Sequence, residues 1–209
     1  SRGLGDVYKR QLLEGAALEK IRAGDSVQFG PFRVEFIRVN HSTVDGVGLA
    51  VETPEGILVH SGDFRVDQTP TDGQFTDLAR FAHYGERGVL ALFSDSTNVE
   101  REGFSLSERH VMRTMEDIFQ RSEGRVIVAV FASNIARIRL IIHLAEKYDR
   151  KIVFSGRSMK TNIRIARDEG FLRFPEDLEI NESAIGLYPD DGIVLITTGS
   201  QGEPMSSLT

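Results

Sequence analysis

The chain has 209 residues, 40% of them hydrophobic, with a net charge of −6 and no cysteine. That length and composition suit a soluble globular protein of one large or two small domains. The missing thiols exclude disulfides and thiolate metal sites, so any transition metal must be held by His and carboxylates, and a cytoplasmic setting fits. The first ten residues, SRGLGDVYKR, show no periodicity and read as a non-native, adapter-like tail. Residues 26–29, 32–39, 47–53 and 57–61 read as short strands. FGPF, DGVG and TPEG supply the turns between them, which predicts an antiparallel, hairpin-rich block. A short helix is expected over 75–84 and a buried strand over 88–94. Ser105 or Ser107 caps a helix over 108–121; with Ser105 as the cap, Glu108 falls where a capping box places it. RVIVAVF (125–131) reads as a β-branched strand and 134–148 as a helix. KIVFS (151–155) is a strand, 158–170 a helix ended by Gly170, and GIVLITT (192–198) a last strand. Strands alternating with helices from 88 onward imply a parallel sheet of α/β type.

Charge is unevenly spread. Residues 121–173 hold twelve Lys and Arg against five Asp and Glu, a local excess of seven that leaves the remainder at −13. The acidic total argues against bulk nucleic-acid binding. The basic middle reads either as solvated helix faces or as a substrate groove.

His41 closes the strand VEFIRVN, and Asp63 follows ILVHSG. Strand-end loops are where sites are usually built, and imidazole with carboxylate suits zinc or manganese. Two ligands cannot hold a catalytic metal, so the pair alone is a weak signal. The surrounding words strengthen it. NHSTVDGVGLAVETPEGILVHSGDFRVD resembles metal motifs of the metallo-β-lactamase superfamily. LFSDSTNVEREGFSLSE, FASNIARIRL, FSGRSM and TTGSQGEPMSSLT follow in the order found in its β-CASP nucleases, most closely the ribonuclease J family of bacteria.

That resemblance implies an α/β fold with two domains. Residues 11–104 would be part of a metallo-β-lactamase αββα sandwich. Residues 105–209 would be an inserted β-CASP domain with a parallel sheet, running back towards the first domain at its end. It implies His41 as a single His ligand, Asp63 as a carboxylate bridging two zinc ions (manganese being the alternative), and Asp95 as the acidic residue of the first β-CASP motif. Asp63 and Asp95 would thus belong to the catalytic set. A bridging carboxylate leaves room for a shared hydroxide whose pKa both metals lower. It further implies RNA contacts at three strand-to-helix turns: Ser133 and Asn134, Arg157 and Ser158, and Ser200, Gln201, Gly202 and Glu203. Backbone N–H groups at helix starts suit phosphate, although helix capping alone explains any one of these residues. His60 and His83 match no ligand position.

The family's HxHxDH motif and its later HxSGH motif are absent, so the expectation is a piece of a longer enzyme, incomplete by itself. The whole protein would be a zinc-dependent ribonuclease with 5′→3′ exonuclease and some endonuclease activity in RNA maturation and decay. It would work in the cytoplasm as a homo-oligomer or with a paralogue. The alternative is a non-catalytic paralogue that binds RNA or a nuclease partner.

Overall fold

A computed structural model describes residues 19–199. Two sheets carry the fold. The first runs β1 (Ser26–Phe29), β2 (Phe32–Arg38), β3 (Val47–Thr53), β4 (Gly56–His60) and β5 (Ala91–Phe93) in that spatial order. β1 to β4 pair antiparallel, as the turn words predict, and β5 joins β4 in parallel. The second sheet is fully parallel. β8 (Ile193–Thr197) lies between β6 (Val126–Ala129) and β7 (Lys151–Phe154). GVLALFS, expected as part of the parallel α/β run, therefore belongs to the first sheet.

Among the described residues four helices connect the strands: α1 (Leu78–Arg87), α2 (Glu108–Arg121), α3 (Ile135–Lys147) and α4 (Arg157–Asp168). α1 begins three residues later than expected, because Asp77 supplies the cap by accepting the Arg80 backbone N–H at 2.9 Å. α2 is capped by Ser107, which accepts the His110 N–H, so Ser105 forms no capping box. That leaves the Glu108 carboxylate free for other work. No helix among the described residues is long and apolar enough to cross a membrane.

The larger core is built by α3, which buries seven residues. They pack with Phe119 of α2 and with Met159, Ile163 and Ala166 of α4 against Ile152, Phe154, Val194 and Ile196 of the sheet. The smaller core lies between the first sheet and α1: Ile37, Ala50, Ile57, Val59 and Tyr84. There Glu35, on the buried face of β2, accepts from both guanidinium arms of Arg80 and from the Tyr84 hydroxyl at 2.8 Å.

Among the described residues nothing buries the opposite face of the first sheet. Its register aligns two rows straight across the strands: an apolar one of Val27, Val34, Val51, Leu58 and Ala91, then Phe36, Leu49, Phe93 and, between the last two, His60. None of the nine is buried among the described residues. β5, expected to be buried, is a three-residue edge strand with Leu92 64% and Phe93 56% exposed. Among the described residues its one neighbour is β4, so one flank is left unpaired there, and such edges drive association. Phe93→Lys should reduce static light scattering of the concentrated chain while moving stability by no more than about 0.5 kcal/mol.

Candidate functional site

β3 runs antiparallel to both β2 and β4, and β5 runs parallel to β4. Strands β2, β4 and β5 therefore point the same way, and the loops after them share one edge of the sheet. Those loops carry His41, Asp63 and Asp95. The Asn40 loop is pinned on three sides. Asn40 O accepts the Arg65 N–H at 2.7 Å, Asn40 N donates to Thr76 Oγ1 at 2.9 Å, and Asn40 Nδ2 donates to Gln74 O at 2.7 Å. His41 is half-buried, with Nδ1 3.3 Å from Ser42 Oγ.

The Asp63 loop turns at Gly62, where φ is 65° and a Cβ would lie 2.7 Å from the Val47 carbonyl oxygen. Only glycine meets both conditions. Ser61 then ties this loop to the next: its N–H donates to Phe93 O at 2.9 Å, and its Oγ accepts the Asp95 N–H at 2.9 Å. The Asp95 carboxylate accepts the Thr97 N–H at 2.9 Å. That contact, then the Thr97 hydroxyl, the Phe64 N–H and the His41 imidazole, hold its carboxyl below the usual range. Through the Ser61 hydroxyl the Asp95 backbone is tied to the loop that carries Asp63.

These residues do not complete a metal cage. Among the described residues no group of three or more His, Asp or Glu is placed to hold a metal ion. His41 and Asp63 supply at most two donors, and the Asp95 carboxylate is already engaged by N–H groups. A catalytic metal at this edge needs ligands from outside residues 19–199.

The second sheet meets this edge across a cleft of about 200 Å³ lined by His41, Arg65, Glu108, Asn134 and Arg137 among others. Asn134 caps α3 by accepting the Arg137 N–H at 3.0 Å, so its side-chain oxygen does helix work while it faces the cleft. Glu108, at the first position of α2, accepts from Arg65 of the first unit at 2.7 Å and from Arg137 of the second at 2.9 Å. Its own N–H donates to the buried Asp67 at 2.7 Å. Sequence reasoning passed over Arg65, Asp67, Glu108 and Arg137 as cleft residues. No spacing rule links positions 43 and 29 residues apart, and the signal lay only in their falling within the motif words.

Not every expected contact converges here. Ser133 is half-buried beside Asn134. Arg157 lines a separate groove, and the exposed Ser158 uses its carbonyl to accept Asn162 Nδ2 at 2.9 Å. Ser200, Gln201, Gly202 and Glu203 lie outside the described residues.

Comparison with known proteins adds to this geometry. Residues 123–209 match the family described as Ribonuclease J, beta-CASP domain. The chain is 44% identical over 199 residues to Ribonuclease J of Synechocystis sp. and 45% identical over 190 residues to Ribonuclease J of Mycobacterium tuberculosis. The chain belongs to the ribonuclease J family. Those alignments take in 95% and 91% of the chain but only 31% and 34% of the two relatives, so it spans about a third of their length. A third relative, Ribonuclease J of Helicobacter pylori, is 43% identical over 87% of the chain and 26% of its own length. A crystal structure of a protein of unknown function from Enterococcus faecalis superposes with a TM-score of 0.60 at 13% identity, covering 89% of this chain and 46% of that one. That likeness speaks for the fold alone. The family match takes in the second sheet, α3 and α4, and with them the turns after β6 and β7.

Proposed function

We propose that this chain is the part of an RNA-cleaving hydrolase that carries one wall of the metal site and the facing wall of the RNA cleft. One observation carries the reading: the His41, Asp63 and Asp95 loops share a sheet edge, and His41 lines the same cleft as Asn134 and Arg137 of the second unit. On this reading the lactamase-like part ends near residue 104 and the β-CASP part begins near 105. Support for that boundary is that α2 packs into the larger core through Met112, Met115 and Phe119. The whole protein would be a zinc-dependent ribonuclease, with 5′→3′ exonuclease and some endonuclease activity. His41 and Asp63 would contribute to its metal set, and the Asp95 backbone would help hold the Asp63 loop in place.

The test is hydrolysis by the longer polypeptide that contains this sequence, offered a 5′-monophosphorylated single-stranded RNA. Mononucleotide release that chelator stops and zinc or manganese restores is expected. Chain 1–209 alone should cleave nothing, because its described residues lack a full ligand set. Cleavage that ignores chelator would overturn the reading. RNA binding with no cleavage at all would favour the non-catalytic paralogue.

A further inference from the structure

The turn that aims Asp63 is made at Gly62, whose φ of 65° and close approach to β3 suit glycine alone. Glycine also has the most backbone freedom to lose, so a turn that must present a carboxylate in one direction needs restraint from its surroundings. Both polar atoms of Gly62 receive it from side chains. Its carbonyl accepts the Ser61 hydroxyl at 2.7 Å, and its N–H donates to His60 Nδ1 at 3.0 Å. The two bonds lie on either side of the Gly62 Cα. They therefore bracket the two soft dihedrals that decide where Asp63 points.

His60 is itself held in place. It is the last residue of β4 and pairs with Leu49 of β3 and Phe93 of β5. Its ring stacks on Phe93, with centroids 6.4 Å apart and planes 22° apart, and the carbonyl of the same Phe93 accepts the Ser61 N–H. β3 comes close to this segment at Gly48, where a Cβ would stand 2.9 Å from the His60 carbonyl oxygen and 2.8 Å from that of Ser61. Accepting at Nδ1 puts the ring proton on Nε2. His60 is exposed, as Asp63 is, so a bond between its ring and the backbone competes with water and adds little to the stability of the fold. Its effect falls on direction, as it does for the groups that orient a ligand without being one.

We propose that His60 is a positioning residue for Asp63: its Nδ1 holds the Gly62 N–H so that the turn presents the carboxylate in one orientation. What that carboxylate does rests on the ribonuclease reading; the support of the turn goes beyond it, and gives a role to a His that matches no ligand position.

Two variants of the longer polypeptide separate the acceptor from the ring. His60→Phe keeps a flat ring against Phe93 and loses the acceptor. His60→Asn loses the ring and puts an amide oxygen near the place of Nδ1. Amide exchange at Gly62, followed without added metal, should quicken about fivefold in His60→Phe. Zinc affinity, read by competition with a chromophoric chelator, should weaken about tenfold in the same variant. His60→Asn should return both to within about twofold of the parent, a rescue that a packing role for the ring does not give. Melting temperatures of the two variants should agree to about 2 °C. A His60→Phe protein that matches the parent in either readout overturns the proposal. So does a His60→Asn protein as loose as His60→Phe, since the ring would then matter and the acceptor would not. Failure of the exchange pattern in a polypeptide that still cleaves RNA sinks only the role of His60. A parent that binds no zinc and cleaves nothing, with the exchange pattern intact, sinks only the ribonuclease reading.

Discussion

Replacing Glu35 with alanine should lower the melting temperature by about 6–12 °C, equivalent to about 3 kcal/mol in a chain of this size. Glu35 is 4% exposed on the α1 side of β2. It accepts from Arg80 Nη2 at 2.6 Å, from Arg80 Nε and from the Tyr84 hydroxyl at 2.8 Å, with Arg33 at 3.5 Å. Tyr84 is fully buried, so the substitution strands a buried hydroxyl as well as a guanidinium, and each lost partner costs its desolvation. The pair also sets an acid limit. Arg80, opposed by burial and helped by Tyr84, pulls the Glu35 carboxyl from its ordinary 4.5 to about 2. A folded value below the unfolded one stabilises fully above about pH 5 and loses that contribution as pH falls from 4.5 towards 2. The melting gap between parent and Glu35→Ala should therefore be constant from pH 7 to 5 and close below pH 4. A gap unchanged at pH 2.5 would show that an ionised Glu35 is not what holds α1 to the sheet.

The strands of this fold were legible because its turns are written in strong words. FGPF and TPEG fix two hairpins whose register follows from Gly30 and Gly56, both in left-handed or extended positive-φ backbone. α3 was legible from apolar spacing alone. The start of α1 and the place of β5 were not. Phe75 looks like the first apolar residue of a helix, yet a side-chain cap outranks an apolar contact, and Asp77 decides the start. The run GVLALFS has the look of a buried strand, but burial depends on neighbours, and Leu90, Leu92 and Phe93 remain exposed among the described residues.

The site divides the same way. His41, Asp63 and Asp95 were visible as residues, and the direction of β2, β4 and β5 explains why they share an edge. What the sequence could not show is how each is employed. Asn134 was read as an RNA contact or a cap, and it is a cap that faces the cleft. Glu108 was read as half of a capping box. It became the residue where the two units meet, because Ser107 took the cap and freed its side chain.

That meeting point makes Glu108→Ala the second large expected effect, about 2–3 kcal/mol, given that the groups are 16–26% exposed. The carboxylate holds Arg65 at 2.7 Å and Arg137 through Nη2 at 2.9 Å and Nε at 3.2 Å. Without it Arg137 loses its ion pair and Arg65 keeps Asp67 at 3.9 Å, so two guanidiniums face one narrow cleft and their repulsion adds to the lost pairs. The backbone N–H at 108 still reaches Asp67, so α2 keeps its anchor and the damage falls on the angle between the units. Amide exchange over 63–67 and 134–138 should quicken about thirtyfold to a hundredfold, since each 1.4 kcal/mol is a factor of ten. RNA should bind the variant more tightly, because two cations lose their competitor. Removing Arg137 as well should return part of the stability, a coupling of about 1 kcal/mol in a double-mutant cycle. Additive losses in that cycle would mean that Glu108 and Arg137 merely lie close, and that the cleft is held open by the packing of Val44 against the larger core instead.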